Sequence, residues 1–219
     1  MYSLKRFVPS TQTDPRPVVA AFDVDGTLTR RDSVGPFLRR VAGRRLGIAL
    51  ARHPRALVGG LLCLDHDVLK ALACSSMAGL DEASVGREGA AFAGEIAGRR
   101  LRPDTAARLR RHRELGHAVV LVSASLEPYV APLGKLLGAD DVLCTRLEAI
   151  DGRLTGRLLG ANCRGPEKAR RLRAWLDRRQ LEAPEIWAYG DSAGDDELLE
   201  MADHPVRVGR TTLPADPVA

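Results

Sequence analysis

Short apolar runs alternate with longer stretches of helical periodicity along most of the chain. The run Val18 to Phe22 reads as a strand, as do Ala118 to Val122, Val142-Leu143-Cys144, Ile186 to Tyr189 and Val206-Arg207-Val208. Continuously apolar strands of this kind belong to parallel sheets buried on both faces. Between them, Pro103 to Leu115, about 127 to 138, Pro166 to about Arg179 and a segment through Met201 predict helices, with Gly116 and Gly138 as stops. Arg146 to Leu158 reads as a hairpin turning at Asp151-Gly152, a strong turn pair. Strands alternating with helices predict an α/β chain with a Rossmann-like parallel sheet covered on both faces.

The first gap is longer and wholly helical. Asp32 or Ser33 can cap a helix carrying Val34, Phe37, Leu38, Val41, Leu46 and Ile48. New helices are expected at Pro54, at Asp65 and at Asp81 or Ser84, making four in all. Residues 33–100 thus read as a helical cap inserted into a core formed by 18–32 and 101–219. Residues 1–17, polar and proline-rich, read as a flexible tail. Ala56 to Leu64 is apolar but far short of the ~20 residues a membrane span needs. It reads as a buried cap helix, with a membrane-surface helix as the alternative, since Arg52, His53 and Arg55 flank it.

Composition changes this picture little. The 219 residues, 45% hydrophobic and 28% charged, describe a globular chain of one domain, or one carrying an insert. The net charge of +5 suits an anionic substrate as well as nucleic acid or acidic lipid. The basic stretches lack the interleaved aromatics of a single-strand binder, so no nucleic-acid partner is expected. Cys63, Cys74, Cys144 and Cys163 show no metal-ligand spacing, and with no secretory pattern the expected setting is reduced and cytoplasmic.

The candidate chemistry sits where strands end. Val18 to Phe22 delivers Asp23 and Asp25, spaced i, i+2 and so on one side of the chain, before Gly26 allows a sharp turn. Asp-Gly is also a common turn pair, so the pair of acids alone leaves a solvated turn open. Ser123 and Ala124 follow the second strand, where a serine can equally cap the next helix. Lys168 stands near a helix start after Gly165-Pro166-Glu167, and lysine is scarce, with four among 33 basic residues. Gly190-Asp191-Ser192-Ala193-Gly194-Asp195-Asp196 supplies a further acidic loop, whose hard oxygen ligands suit Mg²⁺.

Asp23-Val24-Asp25-Gly26-Thr27, Ser123, Lys168 and Gly190-Asp191 to Asp195 resemble, in order, the four motifs of the haloacid dehalogenase superfamily. The helical insert and the hairpin make the chain most similar to its phosphoserine phosphatase-like subgroup. The resemblance implies a Mg²⁺-dependent phosphomonoesterase acting on a small phosphorylated metabolite. Asp23 would be the nucleophile and form an aspartyl-phosphate. Asp25 would be general acid and then base, an acid that dehalogenases lack. Ser123 and the Ala124 N–H would bind the phosphoryl group, and Lys168 would balance charge. Mg²⁺ would be held by the Asp23 carboxylate, the Asp25 carbonyl and Asp191, with Asp195 supporting. Two positions depart from true phosphoserine enzymes: Asp32 stands where they carry glutamate, and only Lys70 lies near their cap arginine. Asp32 is read as a substrate contact or as a helix cap. Monomer and homodimer both remain open. The alternatives are a phosphotransferase with the same intermediate, and a basic binding module with a relict site.

Overall fold

A computed structural model describes residues 16–63 and 65–213. Of the tail expected over 1–17, all but Arg16 and Pro17 lies outside the described residues. The chain begins with β1 (Val18–Phe22) and passes into a helical insert: α1 (Val34–Ala42), α2 (Arg44–Arg52), α3 (Pro54–Leu62), α4 (His66–Cys74), a 3₁₀ turn at Ser75–Met77 and α5 (Glu82–Arg99). It continues through α6 (Pro103–Glu114), β2 (Ala118–Leu126), α7 (Glu127–Leu137) and β3 (Asp141–Thr145). The hairpin β4 (Leu147–Ile150) and β5 (Arg153–Leu158) precedes α8 (Pro166–Arg178), β6 (Glu185–Gly190), α9 (Asp196–Glu200) and β7 (His204–Arg207).

Five strands form one parallel sheet in the order β3-β2-β1-β6-β7, and β4 pairs with β5 in a separate hairpin. The expected α/β fold is therefore present. The chain leaves β1 toward β2 on one side and returns through β6 on the other, so the topological switch lies between β1 and β6. Asp23 and Asp25 follow β1, and Asp191 and Asp195 follow β6. Strand alternation divides the core. Ala20, Phe22, Leu121 and Tyr189 face the layer of α1, α5, α6 and α7, while Val19, Ala21, Val120 and Ala188 face α8 and α9.

The insert departs from expectation in three ways. The first predicted helix is two helices, because Gly43 at φ 52° turns the chain between α1 and α2. Among the described residues, five helices and a 3₁₀ turn therefore stand where four were expected. Only part of the insert joins the core: Phe37 of α1 and Phe92 of α5 pack on Tyr129 of α7, at ring separations of 4.8 and 5.4 Å. Gly89 permits that approach, since an added Cβ would collide with the Pro128 carbonyl. By contrast α3 is not a buried helix, for Val58 and Leu62 are 53% and 80% exposed. The hairpin also docks on the insert. Gly79 N donates to Leu154 O at 2.7 Å and Glu82 N to Gly152 O at 2.9 Å.

Outside the insert, β2 runs through Ser123 to Leu126 rather than stopping at Val122, with a register irregularity between those two residues. The last strand is His204–Arg207, two residues earlier at its start than expected.

Behind β1 and β6, His112 is fully buried against Phe22 and Trp187. Its Nε2 lies 2.9 Å from the Tyr189 hydroxyl and its Nδ1 lies 2.8 Å from Nδ1 of His117. Burial, aided by the charges of His117 and Arg108, lowers its pKa from 6.5 to about 4. A histidine kept neutral in the folded state stabilises it fully above the unfolded pKa. That contribution is lost as pH falls from 6.5 to about 4, because there only the unfolded chain binds the proton. The loss should total roughly 3 kcal/mol. Urea midpoints of the wild type should therefore fall more steeply over this window than those of His112→Gln, and parallel profiles would contradict the assignment.

Candidate active site

Four loops converge at the carboxyl end of the sheet. Asp23 emerges from β1 and is tied to the neighbouring strand, its N–H donating to Tyr189 O at 2.9 Å. Gly26 adopts φ 87° and passes beneath Asp191, where a Cβ would collide with the carboxylate. Thr29 N then donates to Val24 O at 2.9 Å, closing the turn. On the opposite side, Ser192 and Asp195 form a capping box, and Asp195 Oδ2 accepts from the N–H groups of Asp191 and Ser192 at 3.2 and 3.0 Å.

Lys168 binds these two halves together. It is the third residue of α8, and its Nζ donates to Asp23 Oδ1 and to Asp195 Oδ1, both at 2.5 Å. All three side chains are almost wholly buried, at 3%, 6% and 1% exposed. Burial works against the ammonium, but the two carboxylates outweigh it and raise the Lys168 pKa. Burial raises Asp23 to about 7, with Lys168 pulling the other way. Asp195 is held below the usual carboxylate range: burial opposes this, and Lys168 and Ser192 prevail.

Asp25 has different company. Its two oxygens accept from Ser33 Oγ and Ser125 Oγ, each at 2.6 Å, and Ser33 Oγ in turn accepts from the Tyr129 hydroxyl at 2.9 Å. Burial raises its pKa, and the two serine donors partly offset this. Two hydroxyls that can donate or accept hold the carboxyl in either protonation state.

Asp23, Asp191 and Asp195 offer carboxylate oxygens within 4.8 Å of one another. Burial and then the Asp195 charge raise the Asp191 pKa. Three acids facing a single lysine leave negative charge that a hard divalent cation can offset, so the donor set fits Mg²⁺. Both Asp195 oxygens are already occupied by Lys168 and by the capping box, so its place is to support rather than to ligate.

A cavity of about 370 Å³ opens onto this group. Ser123, Ala124 and Asp32 line it along with Asp23, Asp25 and Lys168. All the residues proposed from the sequence thus meet at one place, Asp191 entering through the acid cluster. Two local readings change. Ser123 Oγ accepts from Ser125 N at 3.1 Å, and the residue at the N-cap of α7 is Leu126, so neither serine caps that helix. Asp32 lines the cavity and accepts from Gly35 N in the first turn of α1 at 3.0 Å, while the N-cap position itself is Ser33.

The structure adds residues the sequence reading did not assign. Ser33, Ser125 and Tyr129 carry no spacing signal, because only the fold brings them to Asp25. Lys70 reaches in from α4 and donates to Ala124 O and, at 3.1 Å, to Asn162 Oδ1. Asn162 in turn donates to Asp67 Oδ1 at 2.6 Å, so the insert and core are joined across the cavity. Lysine scarcity, the signal that singled out Lys168, applies equally to Lys70: two of the four lysines line this cavity.

Two pairs of acids thus meet at a switch point, with a buried lysine bridging Asp23 and Asp195. The profile of the haloacid dehalogenase-like hydrolase family matches residues 20–200, and the chain belongs to that family. It is similar to protein CicA of Caulobacter vibrioides, 40% identical over 192 residues, covering 85% of this chain and 84% of CicA. It is also similar to phosphoserine phosphatase SerB1 of Mycobacterium tuberculosis, 29% identical over 196 residues, covering 86% and 64% of the two chains. A solved substrate-bound phosphoserine phosphatase complex shares the fold, at TM-score 0.60 and 19% identity over 85% of this chain and 83% of that one. Among the described residues, no helix is long and apolar enough to cross a membrane.

Proposed function

We propose that this chain is a Mg²⁺-dependent phosphomonoesterase that hydrolyses a small phosphorylated metabolite through an aspartyl-phosphate on Asp23. The observation that carries the reading is the pairing of Asp23, clamped by Lys168, with Asp25, held by two serines, on the same wall of one cavity.

In the first half-reaction the free Asp23 oxygen attacks phosphorus, and the bond to the leaving oxygen breaks. Asp25, its pKa raised by burial, gives that oxygen a proton. In the second, Asp25 takes a proton from water as the water oxygen attacks phosphorus. The acyl-phosphate bond then breaks, restoring the Asp23 carboxylate and releasing inorganic phosphate. Lys168 offsets the charge gathered on Asp23 and the phosphoryl oxygens, and the Ser123 hydroxyl and Ala124 N–H orient that group. A divalent cation on the Asp23 carboxylate, the Asp25 carbonyl and Asp191 would neutralise phosphoryl charge and keep Asp23 ionised. The helices of the insert close over the cavity and limit water.

The name of SerB1 makes phosphoserine one substrate to examine. The cavity presents Lys70 from the insert, a point charge without the paired donors by which arginine grips a carboxylate. A small phosphomonoester with a less demanding second group fits this wall better, in a cytoplasmic setting.

Phosphate release from a soluble aryl phosphate tests the reading. Turnover should require Mg²⁺, vanish with chelator and return when the metal is restored. Turnover that is indifferent to chelator would contradict the metal assignment.

A further inference from the structure

We propose that the outer helices of the insert, α2 and α3, dock on an anionic lipid bilayer. No aspartate or glutamate occurs between Asp32 and Asp65, whereas six arginines do. That segment alone therefore carries more positive charge than the net +5 of the whole chain. Arg40 is neutralised by Glu88 and Glu95 of α5. Arg44, Arg45, Arg52 and Arg55 are exposed and make no ion pair among the described residues.

These arginines surround apolar side chains that face water. On α2, Ile48 is 49% exposed and lies one turn from both Arg44 and Arg52. Leu46 and Leu50, on the other side of the same helix, are partly covered. On α3, Arg55, Val58 and Leu62 follow one another at i, i+3 and i+7, a single exposed face. An apolar strip rimmed by arginine is the pattern of a helix lying in the bilayer interface, where long stems stay with the acyl boundary and guanidinium groups reach the headgroups.

Other occupants fit less well. A second copy meeting this face about a two-fold axis would set arginine against arginine, with no acid in the segment to relieve it. Nucleic acid would match the charge and leave Val58 and Leu62 in water, and neither helix carries an aromatic side chain for base stacking. Phosphatidyl headgroups answer both the charge and the apolar strip.

The placement is consistent with access to the cavity. Gly60 of α3 sits against Leu69 of α4, where an added Cβ would lie 2.9 Å from Leu69 Cδ2, and Leu69 itself lines the cavity. A docked α3 therefore holds the cavity one helix from the bilayer. Docking itself is independent of the proposed reaction.

The test is flotation of the full chain with vesicles of phosphatidylcholine, with and without phosphatidylglycerol. Binding should require phosphatidylglycerol and weaken as salt is raised. The double substitution Val58→Asp and Leu62→Asp should cut partitioning by roughly tenfold or more with an unchanged melting temperature. If that variant melts early, Val58→Gln with Leu62→Gln replaces it. Equal binding to both vesicle types, or binding indifferent to these substitutions, would overturn the proposal. So would a lipid-free dimer, seen by light scattering, that the same substitutions dissolve.

Discussion

Replacing Asp23 with asparagine should reduce turnover of an aryl phosphate by roughly 10⁴-fold or more, since the reaction loses its attacking oxygen altogether. Asparagine keeps the side chain's size and can still accept from Lys168, so the fold should survive. Stability at neutral pH should hold or rise. Burial raises the Asp23 pKa to about 7, so the folded chain favours the neutral form that asparagine mimics. The cost of ionising Asp23 in the fold grows as pH rises from its unfolded value of 3.8 toward about 7, and asparagine removes that cost. Kinetic assay and thermal melting of the same preparation check the two halves. A loss of activity accompanied by early melting would point to misfolding instead of a lost nucleophile.

The second large effect falls on Lys168. In Lys168→Met the hydrophobic stem is kept while the ammonium shared by Asp23 and Asp195 is lost. The Asp195 carboxylate, 1% exposed, would then lie buried beside Asp23 without its cation. Removing one partner of a buried ion pair costs about 3–5 kcal/mol. For a chain of this size that lowers the melting temperature by roughly 10 °C or more. Turnover measured well below that temperature should also fall, because Lys168 sets the position of the Asp23 oxygen. Melting indistinguishable from wild type would mean that the cluster does not depend on the lysine charge. The opposite stability effects of Asp23→Asn and Lys168→Met separate the nucleophile from its counter-charge.

Much of this site was legible in the chain itself, for a physical reason. Strand-ending acids and loop glycines are local features: Asp23 and Asp25 follow an apolar run, and Gly26 is forced by the close passage of Asp191. The hairpin at Asp151-Gly152 was equally legible, because positive φ at both residues, 49° and 73°, is what that turn demands. Contacts between distant segments left no such mark. Ser33 and Ser125 stand 8 and 100 residues from Asp25, and nothing in their own neighbourhoods shows that both reach its carboxylate. The insert misled in another way. Helical periodicity continues from α1 into α2, so the break depends on one glycine, Gly43, whose φ of 52° the apolar spacing does not encode. The apolar run after Pro54 suggested burial, yet hydrophobicity alone does not say whether a core lies opposite, and Leu62 is 80% exposed.

The central claim is that the phosphoryl group passes through Asp23. Its most direct test is acid quenching of the wild-type chain during turnover of a phosphorus-labelled aryl phosphate, followed by peptide mapping. The account predicts hydroxylamine-sensitive label on the peptide that contains Asp23, dependent on Mg²⁺ and missing in Asp23→Asn. Turnover with no label on that peptide, or with label that persists in Asp23→Asn, would contradict it.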